Sequence, residues 1–336
     1  MATNRAGINT VPDPRLKQEQ DEKRPASQFG LAAGAVLLWH ALLVVLFTLL
    51  LAATPNLRSW FDSTDLTGFA RGALLMQGGF ILLPTVLVML ILKIQPGRVI
   101  GSQSQPGSLF LALIAGIPTA IVLTGMNNLL LFLLNSVGLE LPVSSATVFS
   151  FEPASRSAAE LVLIVMISVL LPAICEELMF RGLIQASLLR RSGETMTIFL
   201  QAFAFAAFHT DPAFIMPPFL AGLLLGLIRS RSGSLMAPIL AHASLNATMA
   251  LLAAYLPYYT QRLLDVSSES SRSLMYVSLT ATFLAAVVLI PLISLIASKS
   301  PPEYRHRRQY RSPVDLLFIL AIILLIATII FRYFNP

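Results

Sequence analysis

Two adjacent acids and an arginine stand inside one long apolar run that extends from about residue 161 to residue 189. They are Glu176, Glu177 and Arg181. A charge inside a membrane costs at least about 2.5 kcal/mol on insertion scales, so these three side chains require partners and indicate a function. Glu177 and Arg181 are four positions apart and share a helical face, so they can form an ion pair.

Glu176 is the candidate general base of this group. It lies about 100° round the helix from Glu177, where Arg181 reaches it less easily. A carboxylate without its own cation in a low-dielectric medium takes up a proton readily, which suits a general base. Pro172 removes one helix hydrogen bond four residues earlier, so we expect a bend near the site. A structural clamp of Glu177 with Arg181 that only fixes helix packing remains the alternative.

Two further polar positions occur on later apolar runs. His209 follows Phe205 by four residues, and Asn246 follows His242 by the same spacing, so each pair shares a helical face. A histidine in a membrane can be an acid or base, a metal ligand or a buried hydrogen-bonding group. His242 and Asn246 could equally bond only across helices.

The depth of these residues in the membrane links them. At about 1.5 Å per helical residue, Glu176, His209, His242 and Asn246 lie roughly 16 to 23 Å from their cytosolic flanks. Independent structural residues have no reason to agree in depth, whereas a single cavity requires it. We therefore predict one site in the membrane interior.

The composition is that of a polytopic membrane protein. Of 336 residues, 56% are hydrophobic and 12% are charged, with a mean hydropathy of +0.76. The single cysteine, Cys175, excludes an internal disulfide framework and any multi-cysteine metal site. We predict an all-α transmembrane helical bundle with about 8–9 membrane helices.

The predicted helices comprise seven apolar runs of spanning length and two shorter runs. The long runs lie near residues 30–52, 74–94, 109–136, 159–189, 234–256, 276–298 and 315–332. The short runs, 195–209 and 213–228, predict a hairpin whose turn, residues 209–212, stays below the outer surface. Polar backbone at that depth must be buried in protein or line a wet cavity, so this turn is expected to point toward the site.

The distribution of basic residues predicts the orientation. With a cytosolic N-terminus, inside segments hold sixteen Lys and Arg residues and outside segments hold five. The net charge of +6 is thus explained by flanks that face an anionic membrane surface, and no nucleic-acid site is expected. Short loops favour a plasma membrane. The predicted parts are a disordered cytosolic tail (1–29), N-terminal transmembrane helices (30–137), a core with the site (159–256), and C-terminal transmembrane helices with a basic cytosolic loop (276–336).

Three motifs, in this order on successive predicted helices, resemble the CPBP family. They are Glu-Glu-x-x-x-Arg at 176–181, Phe-x-x-x-His at 205–209 and His-x-x-x-Asn at 242–246. The family comprises CAAX prenyl proteases of the Ras-converting type and bacteriocin-processing or self-immunity enzymes, also called the Abi family. The resemblance covers roughly residues 159–256. It implies an intramembrane endopeptidase that acts on a membrane-associated peptide, a prenylated CAAX-type protein or a leader peptide.

The resemblance also implies a role for each motif residue. Glu176 would activate the attacking water, and His209 would help to hold it. Glu177 and Arg181 would form the supporting ion pair.

The remaining motif, His-x-x-x-Asn, would stabilise the oxyanion. His242 and Asn246 would donate hydrogen bonds to the oxyanion, typically worth about 2.7 to 4 kcal/mol per donor.

If the enzyme is metal-dependent, Glu176, His209 and His242 would be the zinc ligands, with a free position for water. The zinc motif His-Glu-x-x-His is absent from the sequence. Ras-converting members of the family are interpreted as metal-free glutamic proteases, so we favour a mechanism without a cofactor.

A non-enzymatic membrane protein is the alternative from another class. It would be a proton-coupled transporter with a Glu-Arg-His relay, or an immunity or scaffold factor that keeps the cluster for structure. A transporter more often shows repeat symmetry and broken helices in both halves, and the sequence shows neither. The expected partners are membrane lipids and a peptide or lipid-modified protein substrate.

Overall fold

The computed structural model describes residues 29–61, 65–102, 104–139, 156–209, 215–255, 269–298 and 314–334. In these ranges the regular structure is helical, apart from one isolated bridge between Gly101 and Ser234. The chain is an all-α polytopic bundle, as predicted. Most of the predicted tail (1–28), residues 210–212 of the predicted turn and the basic loop at 299–313 lie outside the described residues.

Besides two short helices at Pro55–Trp60 and Pro96–Ile100, nine described helices match the apolar runs of the sequence. They are α1 (Ala32–Ala53), α2 (Leu66–Ile91), α3 (Pro106–Ser136), α4 (Ala158–Leu188), α5 (Glu194–Phe208), α6 (Met216–Ser232), α7 (Met236–Tyr255), α8 (Glu269–Ser298) and α9 (Leu316–Phe334). All except α5 and α6 contain a segment that is long and apolar enough to cross a membrane, which makes seven in the described ranges. The predicted total of 8–9 had counted the short pair as well.

Helix α2 begins earlier than the hydropathy predicts. It starts at Leu66, not near residue 74, because the Asp65 side chain caps it by accepting a hydrogen bond from the Gly68 amide at 2.8 Å. The polar first turns of α2 therefore precede its apolar part.

Helix α4 occupies a central place among the helices. It contacts α1, α2, α5, α6 and α7, and the closest neighbours elsewhere are α3 with α7 and α8, α5 with α6, and α1 with α9. At the α3–α7 interface a Cβ on Gly116 would overlap the Ala241 carbonyl and the Ser244 hydroxyl. Glycine at this position lets the two backbones approach closely, which is typical of packed membrane helices. Helix α7 is thus held firmly against α3.

Three π-helical segments interrupt these spans. One lies in α2 at Leu75–Leu82, and two lie in α4 at Met166–Leu170 and Leu178–Ile184. Pro172 has no N–H to offer the Ser168 carbonyl, so the disruption predicted there takes the form of the first π-helical segment of α4. The two segments of α4 flank Glu176 and Glu177, and single π-helical turns are frequent at functional sites.

Other buried amides serve helix packing. The Gln201 side chain of α5 donates to the Gly222 carbonyl of α6 at 2.6 Å. The Asn128 side chain of α3 donates to the Ser278 hydroxyl of α8 at 3.4 Å. These contacts satisfy polar groups between helices and lie apart from the candidate site.

Candidate active site

Glu177 and Arg181 form the buried ion pair that their spacing predicts. Arg181 Nη1 lies 2.8 Å from Glu177 Oε1, and both side chains are fully buried. The guanidinium also lies 4.3 Å from the centroid of the Phe205 ring, a cation–π arrangement. Arg181 Nε and Nη2 find no hydrogen-bond partner among the described residues, so Glu177 and the ring face together offset the burial of this cation.

His242 lies between the two glutamates. Its Nδ1 is 2.8 Å from Glu177 Oε1, and its Nε2 is 3.9 Å from Glu176 Oε2. Because Glu177 is paired with Arg181 and can only accept, we assign the proton to Nδ1, which donates to Glu177. This bond fixes the imidazole plane and leaves Nε2 directed toward Glu176.

Glu176 has a different set of neighbours from Glu177. Its side chain is buried, and Oε1 accepts a hydrogen bond from Gln77 Nε2 at 2.8 Å, while Oε2 is the oxygen nearest His242. Gln77 lies on the π-helical segment of α2. Gln77 is not among the residues predicted from the sequence, because its only local signal is one amide in an apolar run. Nothing in the sequence places that amide opposite α4.

His209 lies at the C-terminal end of α5. Its Nδ1 lies 2.8 Å from the Phe205 carbonyl, an acceptor only, so Nδ1 carries a proton and Nε2 is left with a lone pair. The ring packs edge-on against Phe205 and Phe208, with centroids 4.7 and 5.2 Å apart. His209 also interacts electrostatically with Glu176 and His242. The imidazole therefore faces the same group of charges as the glutamates.

Asn246 lies one turn beyond His242 on α7 and is half-buried. Its amide makes no hydrogen bond to another residue in the part of the chain that the structure describes. The structure thus brings Glu176, Glu177, Arg181 and His242 into one network, with His209 beside it. Asn246 is a donor on the same helix that does not contact the network directly.

Aromatic rings close one side of this network. Phe205 lies 4.9 Å from Phe180 and 6.1 Å from His242 between ring centroids. The Phe208 ring in turn packs on the His40 ring of α1, with 4.6 Å between ring centroids. An apolar wall of this kind excludes water and strengthens the electrostatic interactions beside it.

Part of the chain that contains these residues matches a known protein family. Residues 158–248 match the family model described as type II CAAX prenyl endopeptidase Rce1-like. This region belongs to the CPBP family of CAAX-type proteases. Over these residues the chain is similar to intramembrane CAAX-type endopeptidases, and its seven apolar helices in the described ranges make it a multi-pass membrane protein. A search of curated proteins and a search of solved structures each found no match.

The CAAX protease region contains every site residue predicted from the sequence. It includes α4, α5, α6 and the part of α7 that carries His242 and Asn246. Gln77 and His40 lie outside it, on α2 and α1. Helix α2, which precedes this region, therefore also contributes a side chain that contacts Glu176.

The three possible zinc ligands predicted from the sequence are not gathered into one group in this structure. Among the described residues, no three His, Cys, Asp or Glu side chains are grouped closely enough to hold one metal ion. His242 Nδ1 is bonded to Glu177, and His209 Nδ1 is bonded to the Phe205 carbonyl, so the two Nε2 atoms would be the ligating atoms. With Glu176 they do not form a group that could hold one ion in the described ranges.

Proposed function

We propose that the protein is a CAAX-type endopeptidase that hydrolyses a peptide bond with a water molecule activated by Glu176. The observation that carries the proposal is the unequal environment of the two acids. Arg181 pairs with Glu177 at 2.8 Å, whereas Glu176 is held by an amide and faces an imidazole. A buried carboxylate without a cation of its own is the better proton acceptor.

The proposed reaction starts with proton transfer to Glu176 Oε2. As this oxygen takes a proton from water, the water oxygen forms a bond to the scissile carbonyl carbon, and the carbonyl oxygen becomes an oxyanion. When the C–N bond breaks, the leaving nitrogen takes the proton from Glu176, and the carboxylate is restored. One water is consumed, and a new carboxyl and a new amino terminus form.

The surrounding residues have distinct parts in this mechanism. His209 Nε2 carries a lone pair that can accept a hydrogen bond from the attacking water. The Asn246 amide donates to the oxyanion. His242 joins it as a second donor when Nε2 carries a proton. The Glu177–Arg181 pair holds the His242 ring in place.

We further propose a metal-free route, a prenylated CAAX-type substrate and a plasma-membrane location with a cytosolic N-terminus. The scattered donor set supports the first, since it offers no three-ligand group in the described ranges. The family match supports the second. The excess of basic residues on the predicted inside segments supports the third. Stoichiometric zinc in the purified protein, lost together with activity on chelation, would overturn the metal-free route.

The test is cleavage of a fluorescent peptide that ends in S-farnesylcysteine and three further residues, with the unprenylated peptide alongside. Glu176→Gln keeps the side-chain shape but removes the base, so we expect kcat to fall about 10²- to 10⁴-fold. Glu160→Gln is the matched control, because Glu160 caps α4 and pairs with Arg156 at the start of that helix. Wild-type cleavage by Glu176→Gln would favour the structural clamp or the transporter.

A further inference from the structure

We infer that Gln77 of α2 is a positioning residue for Glu176, so that the active site extends beyond the CAAX protease region. The inference rests on the proposed function of Glu176. Gln77 lies 99 positions before Glu176 and outside residues 158–248. The family motifs therefore assign it no role, and its contact with Glu176 is the observation from which the role follows.

The contact determines how the carboxylate is oriented. The Gln77 amide donates to Glu176 Oε1 at 2.8 Å, which leaves Oε2 on the side of His242 Nε2, 3.9 Å away. Catalysis by a general base depends on the alignment of the accepting oxygen with the water it deprotonates. Without the amide, the Glu176 side chain is free to rotate and Oε2 loses this alignment.

Helix α2 is shaped to present this amide. Gln77 belongs to the π-helical segment Leu75–Leu82, just before Pro84. Pro84 has no N–H, so the Phe80 carbonyl has no α-helical donor, and the buried His40 of α1 donates to that carbonyl instead, at 2.9 Å. The bond from α1 thus fixes the π-helical segment about one turn from Gln77.

The chemistry of an amide suits both protonation states of a general base. An amide has N–H donors and a carbonyl acceptor. Gln77 Nε2 donates to the Glu176 carboxylate, whereas Gln77 Oε1 is buried and has no hydrogen-bond partner within the described ranges. After Glu176 Oε2 takes up a proton, Glu176 Oε1 is still an acceptor, so the same Gln77 N–H can hold the carboxyl group in place. A leucine offers no such bond, and a glutamate adds a second negative charge.

The first experiment measures kcat and KM of Gln77→Leu with the farnesylated peptide. We expect kcat to fall about 10- to 100-fold with KM within about twofold, since a hydrogen bond to a charged group is lost away from the bound peptide. Gln77→Asn keeps the amide on a shorter side chain and should recover part of the loss. Gln201→Leu, which removes another buried glutamine that bonds only backbone, should keep wild-type kcat. A wild-type kcat in Gln77→Leu overturns the inference.

The second experiment does not require a substrate. The infrared difference between the protein and its Glu176→Gln variant isolates the Glu176 carboxylate band, and Gln77→Leu should shift that band while Gln201→Leu should not. An unshifted band overturns the inference, even if neither peptide is cleaved. If Glu176→Gln cleaves at the wild-type rate, the proposed function fails while the band still reports the contact. If Glu176→Gln is inactive but Gln77→Leu has wild-type kcat, only the role of Gln77 fails.

Discussion

At the scale of single residues, the two adjacent glutamates differ because their neighbours differ. Glu177 Oε1 accepts hydrogen bonds from both Arg181 and His242, each at 2.8 Å. At that distance Glu176 accepts one only from the Gln77 amide. Glu177 is thus engaged in the ion pair and in orienting His242, whereas Glu176 keeps one oxygen, Oε2, without a close donor. Adjacent positions on one helix therefore acquire separate tasks.

Removal of Arg181 should destabilise the protein strongly. Arg181→Met leaves Glu177 buried without its cation, and breaking a buried pair from one side typically costs about 3–5 kcal/mol. The combination of Glu177→Leu with Arg181→Met should recover much of that stability, because no buried charge remains. It should still be inactive, since His242 loses the acceptor that orients its ring.

Thermal unfolding in detergent and peptide cleavage together measure these two effects. An active double variant would show that the pair is only a structural clamp.

Asn246 provides a test of oxyanion stabilisation that separates chemistry from stability. Asn246→Leu should lower kcat about 10²- to 10³-fold, the usual loss for one oxyanion donor. Stability should change little, because the amide makes no hydrogen bond in the described part of the chain. Asn128→Leu is the matched control. It breaks the bond to Ser278 between α3 and α8, so it should affect unfolding more than kcat. An Asn246→Leu variant that loses stability but keeps its kcat would contradict the assigned role of Asn246.

At the scale of helices, close packing and π-helical segments position the site. Helix α7 carries His242 and packs closely on α3 at Gly116. Helix α2 carries Gln77 on a π-helical segment that ends next to Pro84. These features fix the distance between helices and the direction of the side chains, which spacing along one helix does not determine.

Gly116→Val should displace α7 from α3. The new side chain would overlap the Ala241 carbonyl and the Ser244 hydroxyl, and overpacking of this kind typically costs about 1–3 kcal/mol. Because Ala241 adjoins His242, we expect cleavage to fall as well. Gly72→Ala on α2 is the control, since a Cβ there meets no atom within 4 Å. Unfolding and kcat of the two variants measure the difference, and a fully active Gly116→Val would contradict the close packing.

Pro84→Ala tests the shape of α2. It restores an N–H donor for the Phe80 carbonyl, so it should favour a regular α-helix over Leu75–Leu82 and turn Gln77 away from Glu176. We expect kcat to fall while the protein stays folded. Pro291→Ala is the control, because Pro291 lies inside α8 and away from the site. Equal kcat values for the two variants would show that the π-helical segment does not matter.

At the scale of the whole molecule, the surroundings of Glu176 come from several helices on both sides of the family boundary. Helices α4, α5 and α7 supply the residues of the motifs, α2 supplies Gln77, and α1 supplies His40, which packs on Phe208. Helix α9 packs on α1, with Asp315 capping α9 at the Phe318 amide. The outer helices thus support the ones that surround the site.

The orientation of the whole chain is open to a labelling test. In a background with Cys175→Ala, a membrane-impermeant maleimide should reach Ser192→Cys only from the cytosolic side. It should reach Val137→Cys, which is well exposed, only from the outer side. This outcome follows from the distribution of Lys and Arg residues among the loops. Labelling with the sides exchanged would reverse the predicted topology.

The sequence by itself determined the class of the molecule, its seven spanning segments and the pairing of Glu177 with Arg181. These follow from hydropathy over about 20 residues and from i, i+4 spacing, which are local properties of a chain. The domain boundaries and the roles of Glu176, His209, His242 and Asn246 stay predictions. Only the tertiary structure decided which oxygen of Glu176 faces His242 and that Gln77 holds the other one. Contacts between helices depend on their packing and on π-helical segments, and no pattern within a single helix specifies these.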